Sequence, residues 1–215
     1  MSLRVVFTSP RAGEPGRSVT PALYLRRFTM PLSDAWQAEQ MAQLTAGERA
    51  RLARMCRPQR RAQFVVAHCM LREGLALGGV NDARIDVDAE GRLQVQASAR
   101  IYASIAHSEG SVAVIVASDP VGIDLESMSR VRDLEGAAAM LDLTAEQATP
   151  DAVLRAWVTA EARLKAGQSA IPQVWLSRWQ GCQLAVAGIS NPPLTGVSDG
   201  ITGIYNAAEF EWDAV

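Results

Sequence analysis

Hydrophobic and polar positions change period several times along the chain. Leu3–Thr8 and Ala22–Phe28 read as strands, separated by the Pro/Gly-rich loop Ser9–Pro21. Ser33–Leu44 is amphipathic at helical spacing. Thr45 and Glu48 fit a capping box that would open a second helix running to Cys56. Pro58 suits the first turn of a third helix, on which Phe64, His68, Leu71 and Leu75 recur at helical spacing until Gly78 and Gly79 stop it. Short strands follow at Ile85–Asp88 and Leu93–Val95. Tyr102–Ala106 and Val112–Ala117 read as adjacent strands joined by the loop His107–Ser111, and Val121–Glu126 as another. Arg132–Leu141 is a short helix. Thr149, Pro150 and Asp151 supply an N-cap, a first-turn proline and a first-turn acid for a helix that Gly167 ends. Val174–Leu176, Trp179–Val186, Ile201–Tyr205 and Glu209–Trp212 are expected to be closing strands.

The two long helices repeat one another. Phe64–Gly74 aligns without a gap on Trp157–Gly167: an aromatic leads both, Arg72 matches Lys165, and His68 stands where the second copy has Glu161. With strands flanking both copies, the expected fold is α+β: a pseudo-twofold pair of similar α/β subdomains, 1–105 and 106–215, each a small antiparallel-rich sheet packed on a long helix. The ligand cleft would lie between them.

Composition narrows the function. With 48% hydrophobic and 20% charged residues the chain is ordinary globular material, and a net charge of −2 argues against a broad nucleic-acid surface. Three dispersed cysteines suggest neither a zinc site nor a disulfide framework. Met1–Phe7 lacks a signal-peptide layout, and no apolar run is long enough to span a membrane. The expectation is a cytoplasmic protein, and the internal repeat would let a monomer suffice.

Candidate chemistry lies on two elements. In Val121–Glu126, Asp124 and Glu126 share one strand face while Val121, Ile123 and Leu125 occupy the other. Two like charges on one face repel unless something neutralises them, and magnesium favours carboxylates together with phosphate oxygens. Trp157, Glu161 and Lys165 recur every four residues and form a helical stripe. Alone, Glu161 and Lys165 would be a surface pair worth about 0.2–0.5 kcal/mol. His107 could donate to a phosphate oxygen, and Arg60, Arg61 and Arg92 are the basic residues best placed to meet an anionic ligand.

The order of these pieces resembles the 4′-phosphopantetheinyl transferases of the surfactin-synthetase-activating type. Ser104–Ser108 is similar to that family's N-[IL]-S-H-S strand end, Val121–Glu126 to its [VI]-G-[IV]-D-[IL]-E, and Trp157–Lys165 to its W-[ST]-x-K-E-[AS]-x-x-K; Gly91-Arg92-Leu93 echoes its G-[KR]-P turn. The resemblance implies that coenzyme A binds between the halves, with Asp124, Glu126 and Glu161 holding Mg²⁺ against its diphosphate. His107 and Ser108 would contact phosphate of the nucleotide. Glu161 would take the proton of a serine on an apo acyl or peptidyl carrier protein, Lys165 would neutralise the leaving phosphate, and adenosine 3′,5′-bisphosphate would be released. The chain departs from the pattern at Ser104, Ala106, Leu93 and Ala160, the last standing where the family has lysine; Arg163 is the expected compensation. Two rival expectations are a weakened homologue that binds coenzyme A or a carrier without turnover, and a magnesium-dependent phosphohydrolase.

Overall fold

The protein was studied as a computed structural model, which describes residues 19–87, 93–129, 134–167, 173–198, 205–206 and 211–215. The expected strand at Leu3–Thr8, the turn at Asp88–Gly91 and Arg92 lie outside the described residues.

Local signals set most element starts. Ser33 caps α1 (Asp34–Ala42) by accepting from the Trp36 amide. The capping box at α2 (Ala46–Ala53) is present in both directions: the Thr45 amide donates to Glu48 Oε2 at 2.7 Å, and the Glu48 amide to Thr45 Oγ1 at 3.2 Å. Helix α2 stops at Ala53, short of the expected Cys56, because Arg61 reaches back and donates to the Leu52 and Met55 carbonyls. Pro58 opens α3 (Pro58–Leu77), and Thr149 with Pro150 opens α5 (Pro150–Lys165); a short α4 spans Leu134–Met140.

The strands are β1 (Ala22–Arg27), β2 (Arg84–Val87), β3 (Leu93–Gln96), β4 (Tyr102–Ser108), β5 (Ser111–Ala117), β6 (Gly122–Ser127), β7 (Val174–Trp179), β8 (Cys182–Ala187), β9 (Leu194–Ser198), β10 (Tyr205–Asn206) and β11 (Asp213–Ala214). They form a five-stranded sheet in the order β10-β9-β1-β5-β4, a four-stranded sheet β11-β7-β8-β6 and the hairpin β2-β3, all antiparallel except the β1–β9 pair. The chain passes from the first sheet to the second between β5 and β6 and returns to the first at β9 and β10, and residue 105 falls inside β4.

Two expectations are corrected here, and one unexpected strand is added. His107 and Ser108 belong to β4, and the hairpin turn shrinks to Glu109 and Gly110, with Glu109 at φ 49°. Trp179 closes β7 instead of opening the next strand. Gln180 and Gly181, at φ 45° and 78°, make the two-residue turn, a conformation glycine reaches without strain. β9 joins β1 as a parallel neighbour far away in sequence, a pairing that no local pattern announces.

Burial arranges these elements as helix, sheet, sheet, helix. β5 is buried along its whole length: Val112, Val114 and Val116 pack with α3, while Ala113, Ile115 and Ala117 face the second sheet. That explains its unbroken apolar run. β6 divides likewise. Ile123 and Leu125 enter the core between the sheets, so Gly122, Asp124 and Glu126 turn toward α5. Helix α5 comes so close that a Cβ on Gly122 would lie 1.9 Å from the Ala162 carbonyl oxygen. Glycine is required there for space, and the small residues Ala162, Ala166, Ala185 and Ala187 line the same seam.

Candidate functional site

The edges of the two sheets meet at β4 and β6, joined by serine hydroxyls in place of a backbone ladder. Ser104 Oγ accepts the Ile123 amide at 3.2 Å. Ser108 Oγ accepts the Ser127 amide at 2.9 Å and donates to Glu126 Oε2 at 2.8 Å. Both serines are buried. Successive strand residues point to opposite faces, so Ser108 turns to β6 while His107 turns to α3. There Arg60 Nη1 lies 2.9 Å from the His107 ring. The end of β4 therefore touches two places at once: a carboxylate cluster on one side and a basic cavity on the other.

The carboxylate side is built by β6 and α5. Asp124 is 6% exposed, and Lys165, equally buried, donates to its Oδ1 at 2.6 Å. The second oxygen, Oδ2, is buried without a hydrogen-bond partner among the described residues. Burial raises the Asp124 pKa above the ordinary carboxylate value. Lys165 opposes the rise, and the charges of Glu126 and Glu161 add to it. Both glutamates are thus close enough to act on Asp124, and both are half-buried. Among the described residues no group of three or more His, Cys, Asp or Glu side chains is placed to hold a metal ion. Asp124, Glu126 and Glu161 are hard oxygen donors of the kind magnesium takes, and Asp124 Oδ2 is buried without a hydrogen-bond partner among the described residues.

The other side is a cavity of about 230 Å³ between the α2–α3 junction and β4. Arg51, Arg57 and Arg60 make it basic, His107 closes one wall, and Met55, Phe64 and Ile105 supply apolar surface. Behind it sits a buried acid. Glu48, fully buried at the start of α2, accepts from His68 Nδ1 and from Arg72, each at 2.5 Å, and from the Thr45 amide. Burial alone would raise its carboxyl, but these hydrogen bonds hold it down at about 2. Burial likewise lowers the His68 pKa; Glu48 opposes that shift, while Arg72 and Arg51 reinforce it.

Of the residues singled out from sequence, Asp124 and Lys165 are in direct contact, Glu126 and Glu161 act on Asp124 through their charge, and Ser108 donates to Glu126. His107 and Arg60 meet at the cavity. Arg61 stays behind, tied to the end of α2. Arg163 is half-buried, its Nε has no partner among the described residues, and Ala160 is exposed. Sequence reasoning did not reach Gln63, a buried α3 side chain whose amide donates to the Glu109 carbonyl at 2.6 Å and fixes the β4–β5 turn. It also did not reach the Glu48–His68–Arg72 cluster, Arg51 or Arg57. The capping box drew Glu48 as a helix start only, and no local pattern singles out Arg51 or Arg57.

Comparison with models of known families and with curated proteins gives no match for this chain.

Proposed function

We propose that the protein is a magnesium-dependent 4′-phosphopantetheinyl transferase, which moves the phosphopantetheine group of coenzyme A onto a serine of an apo acyl or peptidyl carrier protein in the cytoplasm. The observation that carries the reading is the orphaned oxygen of Asp124, buried beside Lys165 and within electrostatic reach of Glu126 and Glu161. It gains weight because the end of β4 connects this cluster to an arginine-lined cavity suited to a nucleotide phosphate. In this reading the α3 and α5 halves are related by a pseudo-twofold axis, and coenzyme A lies in the cleft that they share.

Asp124, Glu126 and Glu161 are the residues that would hold Mg²⁺. Bound there, the metal would neutralise the diphosphate and keep it in line for displacement. Arg60 and His107 would orient the nucleotide phosphate. Glu161, half-buried on α5, would take the proton of the carrier serine as its oxygen bonds to the pantetheine-side phosphorus and the bond to the bridging oxygen breaks. Lys165, held by Asp124, would set positive charge beside the departing adenosine 3′,5′-bisphosphate. Most of the catalysis would come from positioning and charge neutralisation.

One mixture tests the reading: protein, coenzyme A, Mg²⁺ and an apo carrier, with the carrier weighed by mass spectrometry. Transfer adds one phosphopantetheine mass, and Glu161→Ala lowers the rate about 100-fold or more. An unchanged carrier with coenzyme A still bound would favour the second reading, a homologue that binds without turnover, for which Ala160 in place of a charged residue speaks. Hydrolysed coenzyme A beside an unmodified carrier would make the protein a phosphohydrolase.

A further inference from the structure

Two serines join β4 to β6, and they do not do the same thing. Ser104 and Ser108 lie four residues apart on one face of β4, and the amides they accept, those of Ile123 and Ser127, lie four residues apart on β6. As joints between the sheets the two are equivalent. They differ in one bond: the Ser108 hydroxyl also donates to Glu126 Oε2 at 2.8 Å, whereas Ser104 makes no hydrogen bond to a carboxylate among the described residues. The direction of the Ser108 bond follows from its neighbours. The Ser127 amide can only donate, so it takes a lone pair of Oγ; an ionised carboxylate can only accept, so the single hydroxyl proton points at Glu126. Ser108 is 1% exposed, so that proton is committed to Glu126 and is not offered to a ligand.

Glu126 has reason to need such a hold. It shares a face of β6 with Asp124, and its charge acts on Asp124, as does that of Glu161. Like charges on one strand face repel, and a half-buried glutamate has the torsional freedom to turn away toward water. The backbone beneath it is fixed independently of Ser108. Glu126 and Ser127 pair with Gln183 and Cys182 of β8. Ser127 Oγ lies 2.8 Å from Ser129 Oγ, which donates to Glu109 Oε1 at 2.8 Å and ties the end of β6 to the β4–β5 turn. What Ser108 adds is the direction of the Glu126 side chain.

We infer that Ser108 is a positioning residue: its hydroxyl holds the Glu126 carboxylate beside Asp124 against the repulsion of the neighbouring acids, and so sets the affinity of this cluster for a divalent cation. It acts through Glu126 and touches neither cation nor substrate. The inference rests on the proposed function for the use of Asp124, Glu126 and Glu161 as metal ligands, but cation binding, measured apart from transfer, tests it.

The test titrates Mn²⁺, a paramagnetic stand-in for Mg²⁺, into the full chain and follows the free ion by electron paramagnetic resonance, first without coenzyme A and then with it. Ser108→Ala is expected to bind Mn²⁺ about tenfold more weakly than wild type, as when a group that orients a metal ligand is removed. Ser104→Ala loosens the same joint without touching Glu126 and should stay within about twofold of wild type. Should Ser108→Ala fold poorly, Ser108→Cys keeps the shape with a weaker donor and should also bind Mn²⁺ more weakly than wild type. In carrier modification, Ser108→Ala should raise the Mg²⁺ concentration needed for half-maximal rate and leave the rate at saturating Mg²⁺ nearly unchanged. Equal losses in the two alanine variants, an unchanged affinity in Ser108→Ala, or no binding of Mn²⁺ to the wild type would overturn the inference. Carrier modification with a Mn²⁺ affinity indifferent to Ser108 would overturn it and leave the proposed function standing. Mn²⁺ binding that depends on Ser108, without carrier modification, would do the reverse.

Discussion

Helices α3 and α5 each hold a cation against a buried carboxylate borrowed from another element, and the two pairs behave oppositely. Arg72 of α3 meets Glu48 of α2, and Lys165 of α5 meets Asp124 of β6. The two cations occupy matching positions in the repeated segment. Both oxygens of Glu48 are satisfied, by His68 on one side and by Arg72 with the Thr45 amide on the other, and its pKa falls to about 2. Asp124 has one oxygen on Lys165 and one without a hydrogen-bond partner among the described residues, neighbours that are acids, and a raised pKa. A buried charge with all its hydrogen bonds made is complete without a ligand, while one left incomplete is where the proposed function places one. The position that differs between the repeats is decisive: where α3 has His68 to complete the acid, α5 has Glu161 to repel it.

The most disruptive way to break this contrast is at the glycines that let each helix approach its sheet. A Cβ on Gly122 would meet the α5 backbone at 1.9 Å, while one on Gly74 would meet the Tyr24 ring, a side chain, at 2.6 Å. Gly122→Ala is expected to cost about 4 kcal/mol in chemical denaturation, or to prevent folding, and Gly74→Ala roughly half as much, since a side chain gives way more readily than a backbone. Next come the acids. Glu48→Gln should lose about 3 kcal/mol by leaving Arg72 without its counter-charge. Asp124→Asn should lose about 1 kcal/mol, because the charges of Glu126 and Glu161 remain near Lys165, and on the proposed function it should abolish carrier modification. Equal stability losses in these two variants would erase the distinction between a structural and a functional acid.

The pH dependence sharpens the same point. The Glu48 carboxyl is lower in the folded protein than its ordinary value of 4.5, so its contribution is complete above about pH 4.5 and disappears as pH falls toward about 2. The stability difference between wild type and Glu48→Gln, followed by urea unfolding, should therefore shrink by about 3 kcal/mol across that window. A smaller effect than at Glu48 is expected at the joint between the sheets. Ser108→Ala removes the hydroxyl that serves Glu126 and the Ser127 amide and should cost about 1–2 kcal/mol in thermal unfolding.

The helices were legible because their signals are local. Ser33, the Thr45–Glu48 box, Pro58 and Thr149-Pro150 each act within one turn. The alternation of Val121–Glu126 was legible for the same reason, and it placed Asp124 and Glu126 on one face before any tertiary contact was known. β9 was not legible, because its partner β1 lies at the other end of the chain. Nor was His107 within a strand, since a two-residue turn at Glu109-Gly110 looks from sequence like part of a longer loop.

By itself, then, the sequence determined the caps, the periods and the set of acids and bases carried on β6 and α5, since all of these follow from spacing along one element. Only the tertiary structure decided what those groups meet. It set Lys165 on Asp124 and left Oδ2 bare, turned His107 and Ser108 to opposite sides of β4, and enclosed Arg51 and His68 in one cavity. The physical reason is that hydrogen-bond completion and desolvation are properties of surroundings, and those surroundings come from segments far apart in the chain.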